Sequence, residues 1–356
     1  MKDLRKYIIK IKPTSGLILS LIFLLAIFVM YFASLAQLGV KLMTAASNEA
    51  PAASRFGSMI NMVGSFFYDL KVSPVYWRSL IALNNSIKFH YLGYHQINDV
   101  VIGKNGWLYY DSSGSISDYM GLSPYTDSEL SDLLNSISAR RHLLSQKGIP
   151  LLLVIAPNKE TIYPEHLPDT IKKIHNLTRQ DQLIEYLRSH SDIEILDLRD
   201  ALRQAKIDRP TYYATDSHWN RYGAFIAYQE IMRKVSTYFP DVKPYPLSDF
   251  QITSSQTTGK DLTDMLLMRE EFCDQSIEMT YKGQQPDSWS NARLPAALIY
   301  CDSFTDALEP FLPPHFSGLT KFKNTPFNPA VLEQNKPDIV IYMMVERAVS
   351  LYFIAR

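Results

Sequence analysis

Two short stretches constrain the fold of this chain more than any others, because they are apolar without alternation. Pro150-Leu-Leu-Leu-Val-Ile-Ala156 is one, and the run after Asp338, Ile339-Val-Ile-Tyr-Met-Met-Val345, is the other. Each has the length of a strand, and a strand that shows no polar face is one buried on both faces, as in a parallel sheet. Ile193-Glu-Ile-Leu-Asp-Leu198 and Ala296-Ala-Leu-Ile-Tyr300 read as further strands. Helical patterns lie between them. Thr126-Asp-Ser-Glu129 has capping-box spacing and opens a pattern through Leu130, Leu133, Leu134, Ile137 and Leu144 that stops at Gly148. Others run from Asp181 to Arg188, from Asn220 to about Phe239 and onward from Phe304. Strand-helix alternation of this kind predicts an α/β fold, a three-layer sandwich with a mainly parallel sheet. Ahead of it, Val100 to Tyr110 reads as two short β-runs around Asn105-Gly106, a dipeptide suited to a tight hairpin turn. The polar segment from about 251 to 292 reads as an insertion or irregular region.

The formal charge is zero, with 36 Lys+Arg against 36 Asp+Glu, but it is unevenly spread. Lys2, Arg5, Lys6, Lys10 and Lys12 stand against Asp3 in the first twelve residues, a local +4, so the remaining 344 residues carry −4. A mildly acidic body argues against nucleic-acid partners, whose phosphates select a basic face. The basic cluster has a different use. Pro13 to Val40 holds no charged residue, and its centre from Gly16 to Phe32 is almost wholly apolar, long enough for a spanning helix of roughly 20 residues. Basic residues before the segment and only Lys41 close behind it predict a cytoplasmic N-terminus and an exported body. A cleaved signal peptide, with Ser34-Leu35-Ala36 as the small-residue site, is the alternative.

The expected organisation is therefore a cytoplasmic basic tail over 1–15, a transmembrane anchor over 16–38, a tether and lead-in helices over 39–98, and a catalytic domain over 99–356. Export into an oxidising compartment leaves a Cys273–Cys301 disulfide and an unpaired buried Cys301 as equal readings.

In a parallel sheet, ligands gather at the carboxyl ends of strands. The residues after Ala156, Leu198, Tyr300 and Val345 are thus the first candidates. In Tyr300-Cys-Asp-Ser-Phe304, Ser303 falls where a strand ends and a helix begins, which exposes a hydroxyl and aims backbone N–H groups at an oxyanion. Asp216-Ser-His218-Trp-Asn220 places a carboxylate two residues before an imidazole. Such an Asp can fix the imidazole tautomer while the other ring nitrogen accepts a serine proton. Each piece has a plainer reading: Ser303 or Asp302 as a helix cap, the Asp-x-His as a surface turn or part of a two-residue metal site, and Asn220 as the cap of its own helix, with Gly223 permitting close packing.

Five segments in order carry a resemblance. Val101-Ile-Gly-Lys-Asn-Gly-Trp-Leu-Tyr109, Ala156-Pro-Asn-Lys-Glu-Thr-Ile-Tyr-Pro164, Thr215-Asp-Ser-His-Trp-Asn-Arg-Tyr-Gly223, Asp302-Ser-Phe304 and Glu346-Arg347 resemble the periplasmic SGNH-hydrolase-like alginate O-acetyltransferase family, from about Val75 onward. The resemblance implies an SGNH-hydrolase-like fold in permuted order, with Ser303 as nucleophile, His218 as general base and then acid, and Asp216 orienting it. It implies no metal and no cofactor. It implies as partners a polysaccharide acceptor, the inner membrane and a membrane-bound O-acyltransferase that supplies acetyl groups, with the C-terminal domain in a periplasm or extracellular space. A carbohydrate acetylesterase with the same residues, or an inactive polysaccharide-binding scaffold, is the alternative. Relatives commonly have Gly before the Asp-Ser pair, where this chain has Cys301, and a Cβ there is expected to alter the turn that presents Ser303. The sequence stops soon after Glu346-Arg347, which matches membrane-anchored members without a C-terminal carbohydrate-binding module.

Lesser candidates follow from position alone. Asn158 is placed to donate its amide to an oxyanion or to serve as a turn residue beside Pro157. Lys159 and Tyr163 either line the same mouth or lie on the surface, and Arg347 either binds an acidic sugar or pairs with a nearby carboxylate. His90, His95 and His166 have no partner spacing and read as structural.

Overall fold

The computed structural model describes Phe28 and residues 74–283 and 294–354. Apart from Phe28, the expected membrane segment and the basic tail lie outside the described residues, and among those described no helix is long and apolar enough to cross a membrane. The chain divides into two units, Met1–Tyr94 and His95–Arg356. In the first, the described element is helix α1 (Pro74–His90).

The second unit opens with a small antiparallel sheet, β1 (Gln96–Ile97), β2 (Val100–Ile102) and β3 (Leu108–Tyr110). Between β2 and β3 the chain turns through Asn105 and Gly106 at φ of 56° and 78°, so the expected hairpin forms, although its loop is longer than two residues. Helix α2 (Asp127–Ser145) follows, with both reciprocal bonds of the Thr126–Glu129 capping box in place. Then come β4 (Leu151–Ala156), α3 (Arg179–His190), β5 (Ile195–Asp197), α4 (Arg199–Ala205) and α5 (Arg221–Tyr238). The region expected to be irregular instead holds a long antiparallel hairpin, β6 (Phe250–Thr258) and β7 (Cys273–Tyr281), linked through α6 (Asp261–Leu266). Its strands expose Gln, Ser and Thr on one side and bury Phe250, Ile277 and Met279 on the other, so little in their composition announces them. The chain then runs through β8 (Ala296–Cys301), β9 (Gly318–Lys323) and β10 (Ile339–Val345).

The main sheet has the order β5-β4-β10-β8-β9 and every neighbouring pair in it is parallel. Successive side chains of a strand point to opposite faces, and here they build two separate cores. Leu152, Val154, Ile299, Ile341 and Met343 pack on one side with α5 and the β6–β7 hairpin. Leu153, Ile155, Leu298, Val340 and Met344 pack on the other with α2 and α3. Full burial of each such side chain contributes about 1.5–3 kcal/mol, which is why both runs are apolar without interruption. The result is the three-layer arrangement expected from the alternation.

Candidate active site

Three adjacent strands, β4, β10 and β8, end on the same edge of the sheet, and the residues that follow them are Pro157-Asn158, Glu346-Arg347 and Asp302-Ser303. After β8 the chain enters a 3-10 turn over Ser303–Leu308 where the sequence predicted an α-helix. Asp302 caps this turn. Its Oδ1 accepts from Phe304 N–H at 2.9 Å and its Oδ2 from Val345 N–H at 2.6 Å, so the turn that carries Ser303 is tied to the end of the neighbouring strand. Burial pushes the Asp302 carboxyl up, against the pull of these two N–H groups. Ser303 N–H has no hydrogen-bond partner among the described residues.

Cys301 is compatible with this turn. It is the last residue of β8, has an ordinary negative φ and places its side chain in the core, so the backbone here does not need the freedom of glycine. Both cysteines are free, Cys301 buried and Cys273 exposed.

The Asp216–Asn220 loop is fixed from several directions. Asn220 caps α5 through a bond from Gly223 N–H at 3.0 Å and donates to Pro210 C=O at 2.7 Å. Trp219 is buried and gives its indole N–H to Phe304 C=O at 3.0 Å, which joins this loop to the Ser303 turn. Gly223 is needed because a Cβ there would overlap the Thr211 carbonyl. On the far side, Asp274 of β7 accepts from Ala214 N–H, Thr215 N–H and Thr215 Oγ.

The loop delivers His218 to Ser303. His218 Nδ1 lies 2.8 Å from Asp216 Oδ1, and Nε2 lies 2.7 Å from Ser303 Oγ. Asp216 Oδ1 also accepts from the His218 backbone N–H at 3.0 Å, which orients the carboxylate toward the ring. Such a chain of contacts suits transfer of the hydroxyl proton to the imidazole as the oxygen attacks an electrophile. Burial pulls the imidazole pKa down, but the hydrogen bond to Asp216 and the negative charge of Asp216 and Asp261 outweigh it and raise it to about 9.

Asp261 carries no signal in the sequence. It arrives from α6, and its Oδ2 lies 3.6 Å from His218 Nδ1. Asp216, His218 and Asp261 bring three ligand-type atoms within 4.8 Å of one another, a geometry that would admit a cation, but each of these atoms is already engaged by a protein hydrogen bond.

Ser303 opens into a cavity of about 640 Å³ whose wall includes Tyr110, Asn324, Arg347 and Tyr352. Of the lesser candidates, only Arg347 lines it. The Arg347 guanidinium donates to Asn158 Oδ1 at 2.9 Å and lies over the rings of Tyr110 and Phe304, so its partner is an amide instead of the carboxylate considered above. Asn158 is buried behind it, its backbone N–H held by Glu346. Lys159 and Tyr163 are not at the mouth. Lys159 Nζ is buried and donates to the carbonyls of Tyr213, Ala214 and Asp216, bracing the loop from beneath, with its pKa lowered to about 8 by burial. Tyr163 is buried too, its hydroxyl accepting from Thr211 N–H.

Comparison with known proteins agrees with this architecture. Residues 100–285 match the family described as SGNH hydrolase-like domain, acetyltransferase AlgX, a segment that holds Asp216 and His218 and ends before Ser303. A probable alginate O-acetylase AlgJ of Pseudomonas aeruginosa is 29% identical over 171 residues, 47% of this chain and 41% of the relative. Another from Pseudomonas fluorescens is 31% identical over 144 residues, 40% of this chain and 34% of the relative. The chain thus spans about two fifths or less of the length of these relatives. In fold it is similar to the O-acetyltransferase domain of Pseudomonas putida AlgJ, with a TM-score of 0.50 and 20% identity over 70% of this chain and 91% of that one. It is also similar to Bacillus cereus PatB1, with a TM-score of 0.50 and 16% identity over 71% and 97%. With its parallel sheet, its strand-end site and a family match across more than half its length, the chain belongs to the SGNH hydrolase-like, AlgX-type acetyltransferase family.

Proposed function

We propose that the protein is an O-acetyltransferase that moves an acetyl group through an acetyl-serine to a hydroxyl of an exported, alginate-like polysaccharide. The observation that carries this reading is the continuous contact Asp216–His218–Ser303, which ends on Ser303 at the wall of the 640 Å³ cavity. His218 Nε2 takes the Ser303 proton as Oγ bonds to the acetyl carbonyl carbon. The oxyanion that forms is held by the unpartnered Ser303 N–H and by Arg347, which face the same space. Collapse expels the donor's leaving group, which takes the proton from His218. A sugar hydroxyl then attacks the acetyl carbon and gives its proton to His218, and Ser303 Oγ leaves and recovers it.

The basic N-terminus and the uncharged stretch after it support an inner-membrane anchor over 16–38, with the catalytic domain from 99 onward outside the cytoplasm. This topology places the site where a membrane-bound O-acyltransferase can hand over acetyl groups. The test is the purified full chain with an acetyl ester, with and without an oligosaccharide, read by mass spectrometry. Acetylated sugar supports the transferase. Free acetate alone identifies an esterase, and full transfer by Ser303→Ala overturns the assignment of the nucleophile.

A further inference from the structure

His218 is faced by a second carboxylate that the mechanism above does not use. Asp261 Oδ1 accepts from Ser217 N–H at 2.8 Å, and its Oδ2 accepts from the Ser217 hydroxyl at 2.5 Å. Ser217 Oγ in turn stands 3.2 Å from His218 Nδ1. A hydroxyl has one proton, and this one is committed to Asp261, so Ser217 can present only a lone pair to Nδ1. Nδ1 is therefore surrounded by three acceptors: Asp216 Oδ1 at 2.8 Å, Ser217 Oγ at 3.2 Å and Asp261 Oδ2 at 3.6 Å. The neutral ring satisfies them only with its proton on Nδ1, which leaves the Nε2 lone pair for the Ser303 hydroxyl.

We propose that Asp261 is a positioning residue for His218, which locks the productive tautomer through Ser217 and stabilises the imidazolium formed when Ser303 is deprotonated. The proposal rests on His218 acting as the base for Ser303.

The rest of the surroundings favours the same arrangement. Lys260 N–H donates to Thr215 Oγ at 3.0 Å and Leu262 N–H to Thr215 C=O at 3.2 Å, so α6 is docked on the loop it serves. The charged groups around His218 are Asp216 on its own loop, Asp261 on α6, Lys159 beneath, and Asp302 and Arg347 on the Ser303 side. Burial disfavours the ionised form of Asp261, yet the two hydrogen bonds it accepts from Ser217 and the nearby His218 ring hold its carboxyl below the usual range. Loss of Asp261 would free the Ser217 hydroxyl to donate to Nδ1, which stabilises the tautomer whose proton sits on Nε2 and blocks Ser303.

The test is the pH dependence of Ser303 sulfonylation by phenylmethanesulfonyl fluoride on the full chain, followed by intact mass. In this reaction the Oγ–S bond forms, fluoride leaves with the S–F electron pair, and the hydroxyl proton passes to His218. Asp261→Asn is expected to move the acid limb of the rate down by about one pH unit and lower the plateau about tenfold. Asp261→Glu should restore much of both. An Asp261→Asn limb and plateau that coincide with wild type overturn the proposal. Ser217→Ala keeps the carboxylate and removes the relay. It is expected to lower the plateau several-fold with the limb near its wild-type pH, and an unchanged plateau overturns the tautomer lock even if Asp261→Asn fails to fold. Wild-type protein that takes up no label on Ser303 would instead sink the assignment of the nucleophile.

Discussion

His218 Nε2 and Ser303 Oγ, 85 residues apart in the chain, lie 2.7 Å from each other, and the Trp219 indole bond to Phe304 C=O holds their two turns together. This contact sets an imidazole beside a hydroxyl at the carboxyl edge of the sheet, where the N–H of Ser303 has no partner among the described residues. The family match covers His218 but not Ser303, so the pairing rests on this geometry.

If the two act as one unit, their losses do not add. Ser303→Ala and His218→Ala are each expected to lower acetyl transfer by three or more powers of ten, and the double variant by no more than the worse of the two. Mass-spectrometric transfer rates on the three proteins check this. Additive losses would mean that the residues act independently.

The family resemblance leads to an expectation of glycine at Cys301, but the negative φ of this residue and its place in the core imply that the side chain is a packing element. Cys301→Gly should therefore destabilise the protein by about 2 kcal/mol, from the cavity left and from the freer unfolded backbone, without raising activity. Chemical denaturation with parallel transfer assays gives both numbers. A more active variant would show that the Cβ restrains the turn.

Lys159 crosslinks three carbonyls of the loop that carries Asp216. Lys159→Met fills the space but leaves those carbonyls without a donor, and a loss of about 3 kcal/mol is expected. Because the loop positions His218, transfer should fall about tenfold even under conditions where the variant is fully folded. An unfolding curve within error of wild type would contradict the bracing role.

The parts legible in the sequence are those whose cause is local. Leu151–Ala156 and Ile339–Val345 advertise a two-sided burial in composition alone, and Thr126–Glu129 advertises a cap by spacing. Asp216 and His218 stand out by their Asp-x-His spacing and Ser303 by its place at a strand end, and the structure brings the three into contact. Asp261 was not, since its partnership with Ser217 spans 44 residues and no spacing rule reaches that far. The β6–β7 hairpin was hidden for a different reason: one face is solvated and rich in Ser, Thr and Gln, so β6 resembles a loop. Lys159 read as a surface or mouth residue because a buried lysine is uncommon, and only the three converging carbonyls explain it.

Glu346 offers a test of the wall behind Arg347 through pH. Its carboxyl is buried and accepts from Asn158 N–H and Thr161 Oγ, both at 2.9 Å, and burial pushes its pKa up to about 7. In the unfolded chain the same group ionises in the usual glutamate range, near 4.3. Below that range both states are protonated and stability is unaffected. Between it and pH 7 the unfolded state loses the proton first, so stability falls as pH rises. Above pH 7 the full deficit, on the order of 3 kcal/mol, is present. Glu346→Gln keeps an oxygen acceptor for Asn158 and Thr161 and cannot ionise. Its Tm should exceed that of wild type by several degrees at pH 8, with the gap narrowing toward pH 5. A gap independent of pH would mean that Glu346 stays ionised in the fold, and the Asn158–Arg347 contact at the cavity wall would then be backed by a charge instead of a neutral acid.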